Sequence, residues 1–271
     1  MTDEGVSTYP RGIPARWTSS AKSGVGTALS PASRVWFTVS HGILNEIYYP
    51  RVDRACTRDL GLVVTGPGDY FSEEKRHTRH LIEPVKSGVP AYRLTNTAAD
   101  GAYRIEKRIL THPSRPSVLQ DFVFTPLKGQ PGDYRVSALL SPHLFNRGMG
   151  NTAWIGDYKG WQMLFATGRD GVSLALASSL PWLSSSAGYV GVCDGWRQLL
   201  HRGALEPGKL RADDGNVSLT GQIGFSPESN RALLSLGLAG GPDEAGYNAL
   251  ASLMAGFDAA AKPYVSGWRT W

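Results

Sequence analysis

The sequence predicts an all-β protein built as a two-sheet antiparallel sandwich and followed by a helical segment. Short runs of β-branched and aromatic residues recur between turn residues from about residue 35 to residue 238. Within one such run, Tyr103 and Ile105 alternate with Arg104 and Glu106, which is typical of a strand with one buried and one wetter face. The sequence contains no repeat of fixed period, so we do not expect a propeller. At 271 residues and 41% hydrophobic content, the chain is long enough to bury a sizeable core.

The first thirty residues are rich in Gly, Ser, Thr and Pro and predict an extended arm. A strand follows that ends at Pro50, and strict alternation divides it between two faces. The first face would hold Ile43, Asn45, Ile47 and Tyr49, and the second Leu44, Glu46 and Tyr48. Glu46 is then an acid on a strand that is apolar on both faces. It needs a specific partner, which Arg51, Arg54 or Arg58 could supply.

Three further stretches have simple local interpretations. Asp100-Gly101 lies between two alternating runs and predicts a hairpin with a tight primed turn. Glu73-Glu74 stands among charged residues and is interpreted as a solvated stretch. Asp213 to Asn216 is interpreted as a turn before a strand.

The pattern divides the chain into a β-domain over residues 1–240 and a helical linker over residues 241–271. Pro242 is predicted as the first helical residue, with acidic residues in the first turn. Four apolar residues follow at helical spacing, namely Leu250, Leu253, Met254 and Phe257. Lys262-Pro263 is expected to end this single helix. Trp268 and Trp271 either fold back onto the sandwich or precede further chain, and we expect continuation.

Composition excludes several classes of function. The net charge of +5 is mild and its basic residues are spread out, so we expect no nucleic-acid partner. No apolar run is long enough for a membrane span. Two distant cysteines, Cys56 and Cys193, predict buried free thiols and no disulfide framework. The opening residues lack a signal-peptide pattern, so we expect a cytoplasmic protein, or an exported one if a leader has been removed.

The residues offer no clear catalytic centre. Glycoside hydrolysis needs two carboxylates at a defined separation, and near pairs such as Glu46 with Asp53 say little about geometry. His77 and His80 are spaced as possible ligands but lack a completed metal motif. No nucleophile elbow, phosphate loop or dinucleotide glycine motif is present. We therefore predict no cofactor, no metal and no catalytic residue.

Aromatic residues beside polar ones point instead to sugar contact, because flat rings can cover the C–H faces of sugars. Trp154, Trp161 and Trp196 are candidates of this kind, as is the pair Tyr48-Tyr49. The opposing interpretation is that these rings belong to the core and sheet faces.

Three stretches carry a resemblance to a known family. The specific one runs from Val35 to Arg76, and "SPHLFNRGMGNTAW" and "GFDAAAKPYVSGWRTW" extend it over nearly the whole chain. They resemble the N-terminal domain of bacterial and archaeal glucoamylases and glucodextranases, the family 15 glycoside hydrolases. The resemblance implies a supersandwich like that of galactose mutarotases. It also implies a helical linker to an (α/α)6 barrel that hydrolyses α-glucosidic bonds with inversion.

By this resemblance the partners are the catalytic (α/α)6 domain of the parent chain and an α-glucan or oligosaccharide. Nothing here resembles the barrel's catalytic motifs, so the chain is expected to be inactive alone. The segment from Glu46 to Asp59 is expected to face the substrate cleft. Its roles divide into packing or sugar contact for Tyr48 and Tyr49, and a polar network for Glu46, Asp53, Arg58 and Asp59. A rigid turn with no ligand explains the same residues.

Two alternatives stay open. A stand-alone aldose-epimerase-type enzyme would need a histidine acid and a glutamate base to converge. Its histidine would be drawn from His41, His80, His112 and His143. A non-catalytic glucan-binding module would share the fold and bind sugar on a shallow face. Preference for α-1,4 or α-1,6 bonds, oligomeric state and calcium binding near residues 213–216 are left open.

Overall fold

The computed structural model describes residues 11–130, 132–226 and 229–271 and confirms the predicted sandwich with C-terminal helices. Within these residues, two antiparallel sheets pack face to face. The eight-stranded sheet comprises β1 (Gly24–Thr27), β2 (Trp36–Ser40), β3 (Ile43–Tyr48), β4 (Thr57–Gly66), β5 (Tyr70–Glu73), β10 (Arg135–Pro142), β14 (Trp182–Tyr189) and β16 (Val217–Ile223). The nine-stranded sheet comprises β6 (Thr78–Pro84), β7 (Tyr92–Ala98), β8 (Tyr103–Thr111), β9 (Ser117–Pro126), β11 (Asn151–Tyr158), β12 (Trp161–Gly168), β13 (Ser173–Ser178), β15 (Arg211–Gly215) and β17 (Arg231–Ala239). The α-helices are α1 (Glu74–His77), α2 (Gly195–Arg202), α3 (Pro242–Ala255) and α4 (Phe257–Thr270).

The strand orders interleave distant parts of the chain. The first sheet runs β1-β2-β3-β4-β10-β16-β14, with β5 paired to β4, and the second runs β15-β11-β12-β13-β17-β9-β8-β7-β6. Apolar side chains from both inner faces form the main core. The outer face of the nine-stranded sheet is covered by α3 and α4. The outer face of the eight-stranded sheet carries α2 on a small apolar cluster, which leaves the rest of that face to polar residues.

The predicted two-face alternation of β3 is wrong. Leu44 and Ile47 both lie in the core between the sheets, although alternation assigns them to opposite faces. Ile43 lies on the outer side, against Gly61. The reason is a register shift of β3 against β2, where Phe37 pairs with Ile47 but Val39 pairs with Leu44. Such a bulge adds one residue to a strand and reverses the faces beyond it.

The predicted hairpin is confirmed by the pairing of β7 with β8, but its turn is not primed. Gly101 has a φ of 73°, whereas the preceding Asp100 does not have a positive φ. A primed turn of the Asp-Gly type needs positive φ at both central residues. Instead, the Asp100 carboxylate accepts a hydrogen bond of 2.9 Å from the amide of Ala102. The side chain thus adds to the main-chain bond that closes the turn, in which the amide of Gly101 donates 2.8 Å to the carbonyl of Ala98.

The C-terminal segment forms two helices, not the one predicted. Pro242 begins α3 as expected, but that helix ends at Gly256, whose φ of 82° an L-residue rarely adopts. Pro263, expected to end the helix, lies inside α4. The neighbouring Tyr264 is buried, and its hydroxyl donates hydrogen bonds to main-chain carbonyls of the sandwich, which offsets the helix bond that proline removes. Met254, predicted on the apolar stripe, is exposed.

Small residues bring α3 directly onto the sheet. A Cβ atom at Gly237 of β17 would lie 2.3 Å from the carbonyl oxygen of Ala245 and 2.4 Å from the amide of Ala249. Only glycine permits this approach of two backbones. The contact is completed by Asn248, whose amide donates 3.0 Å to the carbonyl of Leu238. The linker helices are therefore an integral layer of the sandwich.

A buried ion pair joins the two sheets at α1, which corrects the interpretation of Glu73-Glu74 as solvated. The Glu74 carboxylate lies 2.8 Å from the Lys107 ammonium, and both side chains are 0% exposed. The same carboxylate accepts hydrogen bonds from the amide of Leu62 at 3.1 Å and from Asn96 at 2.5 Å. Leu62 belongs to the eight-stranded sheet, whereas Lys107 and Asn96 belong to the nine-stranded one. Burial lowers the pKa of Lys107, and the charge of Glu74 counteracts that shift.

We expect Lys107→Met to lower the free energy of unfolding by about 3–5 kcal/mol, because it leaves a buried carboxylate without its cation. The matched double variant Glu74→Gln/Lys107→Met removes both charges and should regain much of that loss. Urea unfolding at neutral pH measures both. Additive losses in the double variant would show that the two groups do not interact.

Candidate functional site

An N-terminal arm, residues 11–22, crosses the outer face of the eight-stranded sheet and is anchored at both ends. At one end the amide of Ile13 donates 3.0 Å to the carbonyl of Val190. At the other, the Thr18 hydroxyl donates 2.9 Å to the carboxylate of Glu46. The intervening residues thus span a sheet face whose outward side chains include charged and aromatic groups. The part of the predicted arm before residue 11 lies outside the described residues.

Glu46 anchors the end of the arm that leads into β1, and its partners are not the arginines expected from the sequence. Its carboxylate forms an ion pair of 2.6 Å with Lys22 and accepts hydrogen bonds from Thr38 at 2.8 Å and from Thr18. Burial acts to raise the pKa of Glu46, but the hydrogen bonds from Lys22, from the main chain and from the two threonines outweigh it, so the pKa lies below its usual value. The role of the Glu46 carboxylate is thus structural, because its oxygens already contact Lys22, Thr38 and Thr18.

The expected arginines pair elsewhere. Arg51 forms a solvent-exposed pair of 3.0 Å with Asp53. Arg58 pairs at 3.0 Å with Asp59. The polar network predicted for these residues therefore divides into separate pieces, because the bulge in β3 and the turn after it send the side chains in different directions.

Asp59 is the centre of the largest of these pieces. Besides Arg58, its carboxylate accepts a hydrogen bond of 3.0 Å from Lys75 and one of 3.1 Å from Asn45. The group comes from β3, β4 and α1, three elements that meet on the outer face. Its side chain is only 13% exposed, so these contacts hold one carboxylate orientation.

The turn over residues 49–55 is built almost entirely by main-chain hydrogen bonds. The amide of Tyr49 donates 3.0 Å to the carbonyl of Arg54, and a second loop clamps the turn through Asn146. The Asn146 side chain accepts from the amide of Ala55 at 2.8 Å and donates to the carbonyl of Asp53 at 2.7 Å. Tyr49 is buried in the core and Tyr48 is partly buried at the end of β3. The turn is rigid, whereas its tip faces solvent.

A groove of about 360 Å³ lies on the outer face between the arm, β4 and α2, and we call it the arm groove. Its principal lining residues are Trp17, Arg58, Asp59, Lys75, Trp196 and Ser218. Three of these, Arg58, Asp59 and Trp196, were site candidates from sequence. Trp17, Lys75 and Ser218 were missed, although a single tryptophan in a polar arm was a usable signal.

The three candidate tryptophans do not form one surface. Trp196 in α2 faces the arm groove, where its indole donates 2.8 Å to Glu73. Trp154 stacks on Phe165 at 5.3 Å between ring centroids on the other sheet. Trp161 packs against the apolar cluster beneath α3. Of the three, only Trp196 lies beside other candidate residues, and sugar contact by any of them stays a prediction.

The histidines required by an epimerase do not meet a free glutamate. His143 is buried near Glu46, and burial together with Arg58 lowers its pKa to about 4. His80 lies near Glu74, and burial and His41 lower its pKa. Both carboxylates already hold a lysine, as described above. His112 contacts Arg115 at 3.0 Å, and burial and that arginine lower its pKa to about 4. This arrangement does not favour the epimerase alternative.

A metal site needs clustered ligating side chains, and a membrane-spanning helix must be long and apolar. No cluster of three or more acidic, histidine or cysteine side chains is arranged there to hold an ion. Asp213 and Asp214, in the segment left open for calcium, accept hydrogen bonds from Arg211 and Arg169. Among the described helices none is long and apolar enough to cross a bilayer. Cys56 is a buried free thiol as predicted, and burial raises its pKa to about 12.

Fold and site together define a β-sandwich domain of the kind associated with glycoside hydrolases. The family model described as "Glucodextranase, domain N" matches residues 9–271. The chain therefore belongs to the family of glucodextranase and glucoamylase N-terminal domains, and the resemblance seen in its sequence is confirmed.

Two relatives show the extent of the similarity. A glucoamylase of Clostridium sp. (strain G0005) is 31% identical over 252 residues, which cover 93% of this chain and 36% of that protein. The crystal structure of a bacterial glucoamylase complexed with acarbose superposes with a TM-score of 0.93 at 29% identity. That alignment covers 98% of this chain and 39% of the other. The chain thus spans little more than a third of the length of these relatives.

We expect Glu46→Gln to lower the free energy of unfolding at pH 7 by about 1–3 kcal/mol, because it removes the buried charge that holds Lys22. Since the folded-state pKa of Glu46 is lowered, its contribution is complete above the unfolded value of about 4.3 and is lost as pH falls through the folded value. Urea unfolding between pH 7 and pH 3 measures this difference, and amide hydrogen exchange measures release of the arm.

Asp53→Asn is the matched control, since it neutralises an exposed carboxylate in the same region. It should change stability by no more than about 0.5 kcal/mol. Equal effects of the two substitutions, or unchanged exchange in the arm, would contradict the role of Glu46 as an anchor.

Proposed function

We propose that this domain is the non-catalytic N-terminal part of a glucoamylase- or glucodextranase-like α-glucan hydrolase. It packs against the catalytic (α/α)6 barrel, and the turn over residues 49–55 borders the substrate cleft. The main support is the match of nearly the whole chain to about two fifths of a glucoamylase complexed with acarbose. A match to only part of two longer glucoamylases is what a domain that acts together with the remainder would give.

The turn is the part of the surface best suited to contact a second domain. It is fixed by main-chain bonds and by Asn146, so little conformational entropy is lost when it is covered. Its tip residue Val52 is 61% exposed, and Met149 in the clamping loop is also exposed. Exposed apolar side chains on a rigid support, rimmed by the charged pair Arg51–Asp53, are typical of a protein contact.

The role assigned to Glu46, Asp53, Arg58 and Asp59 in this function is structural. Each of these three carboxylates is paired with a cation in the domain itself, so none of the three is free to act as the acid or base of hydrolysis. Inverting hydrolysis would need two carboxyl groups separated by roughly 6.5–9.5 Å with a free water between them. The chemistry is therefore left to the barrel.

The chain alone should release no glucose from maltotetraose, dextran or soluble starch. The candidate carboxylates Glu46, Asp53 and Asp59 are held in ion pairs within the domain, whereas the reaction needs a free acid and a free base. Glucose release is measured with a coupled assay, with the Glu46→Gln variant beside the unaltered chain. Turnover that disappears in Glu46→Gln would place catalysis in this domain and contradict the proposal.

Packing is tested in a chimera in which this chain replaces the matched region of the Clostridium sp. glucoamylase. The chimera should release glucose from soluble starch. The double variant Val52→Asp/Met149→Asp should lower this activity roughly tenfold or more, because it places charges in an apolar contact. Leu81→Asp is the control, since Leu81 is equally exposed on β6, away from the turn. A folded but inactive chimera, or full activity of the double variant, would contradict the proposal.

A further inference from the structure

We propose that the arm groove is a sugar-binding site of this domain, which takes one or two hexose units of an α-glucan. The choice of glucose units rests on the proposed function, whereas the site itself rests on the geometry of the groove. At about 360 Å³ the groove lies in the lower part of the range of roughly 300–1,000 Å³ typical of small-molecule sites.

Two indole rings line the groove, one from the arm and one from α2. Trp17 belongs to the arm and is 44% exposed. It is held edge to face against the buried ring of His143, with 4.6 Å between ring centroids. Trp196 belongs to α2 and is fixed by its hydrogen bond to Glu73 and by the Arg76 guanidinium 5.6 Å from its ring centroid. Rigid indoles offer large contact area at low entropic cost, as the C–H face of a sugar requires.

Polar groups that suit hydroxyls line the floor. The Asp59 carboxylate is held in one orientation by Arg58 and Lys75, and the three groups together present both donors and acceptors. Two strands away from Asp59, beyond Ser141 of β10, Ser218 of β16 is 2% exposed, and its hydroxyl has no hydrogen-bond partner among the described residues. A buried hydroxyl without a partner carries a desolvation cost that a ligand hydroxyl would remove.

The floor of the groove favours a neutral sugar over an anion. Of the five cations that line the groove, Arg58 and Lys75 are paired with Asp59, Arg76 is paired with Glu73, and Arg16 and Arg197 are exposed to solvent, with Arg197 near the Asp194 carboxylate. A phosphate on the floor would have to lie beside the Asp59 carboxylate, which would repel it. A sugar hydroxyl, in contrast, can donate to that carboxylate and accept from the lysine.

The groove is also placed where a glucan bound to it would lie near the proposed cleft. The turn over residues 49–55 leads directly into β4, which supplies Arg58 and Asp59 to the groove. A glucan held beside Arg58 and Asp59 would therefore lie at the end of β4 that follows the turn. This gives the domain a substrate-holding role besides its packing role.

The test is isothermal titration of the isolated full chain with maltotriose and with isomaltotriose, and with inorganic phosphate as the competing probe. We expect one or both oligosaccharides to bind and phosphate not to bind. Trp17→Ala should weaken binding roughly tenfold or more. Ser218→Ala should weaken it by a smaller factor. Trp271→Ala is the matched control, because Trp271 is 88% exposed on the far helix, and binding should not change.

Each contrary result overturns a defined part of the proposal. A folded chain that binds neither oligosaccharide has no sugar site, and binding that survives Trp17→Ala lies elsewhere. Binding of phosphate in place of sugar would assign the groove to anions. If the isolated chain binds sugar but the chimera is inactive, the packing proposal is contradicted and the sugar site in the arm groove stands. If the chimera is active but the isolated chain binds no sugar, only the sugar site is contradicted.

Discussion

The ion pair between Glu74 and Lys107 is the contact on which the rest of the structure depends. It lies where the chain passes from one sheet to the other through α1, and it ties both sheets to one carboxylate. Its neighbours in sequence face the opposite way: Glu73 receives the indole of Trp196, and Lys75 reaches Asp59. Three consecutive residues thus serve the core and the wall of the arm groove together. Loss of the buried contact would disturb both.

The outer face of the eight-stranded sheet acquires its shape from segments far apart in sequence. The arm is anchored on Glu46, α2 rests on an apolar cluster of its own, and the turn over residues 49–55 is clamped by Asn146. Each support is a separate set of hydrogen bonds or apolar contacts. The groove between them is therefore preorganised, which is the property that lets weak individual contacts add up in binding. The outer face of the nine-stranded sheet is different, because α3 and α4 pack against it.

The fold class could be predicted from the sequence, whereas the contacts between distant segments could not. Alternation in β8 predicted its buried face correctly, and its phase also places Lys107 inward beside Ile105 and Ile109. The partner of that lysine was unpredictable, because Glu74 lies in α1, far away along the chain. A bulge overturned the faces of β3, since one inserted residue leaves no mark in composition. The sequence analysis placed the end of the helix at Pro263, because proline is the stronger local signal. In the structure the first helix ends at Gly256, and Pro263 is accommodated inside α4.

The hydroxyl of Tyr264 bonds to the carbonyl of Thr27, a separation of 237 residues, and to that of Pro90. This closure has a consequence for biosynthesis. A ribosome that adds about 5–20 residues per second needs roughly 10 to 50 seconds to travel that distance. During this interval β1 has left the exit tunnel without its final cover. The contacts that hold the end of β1 against α4 can therefore form only after nearly the whole domain has been synthesised.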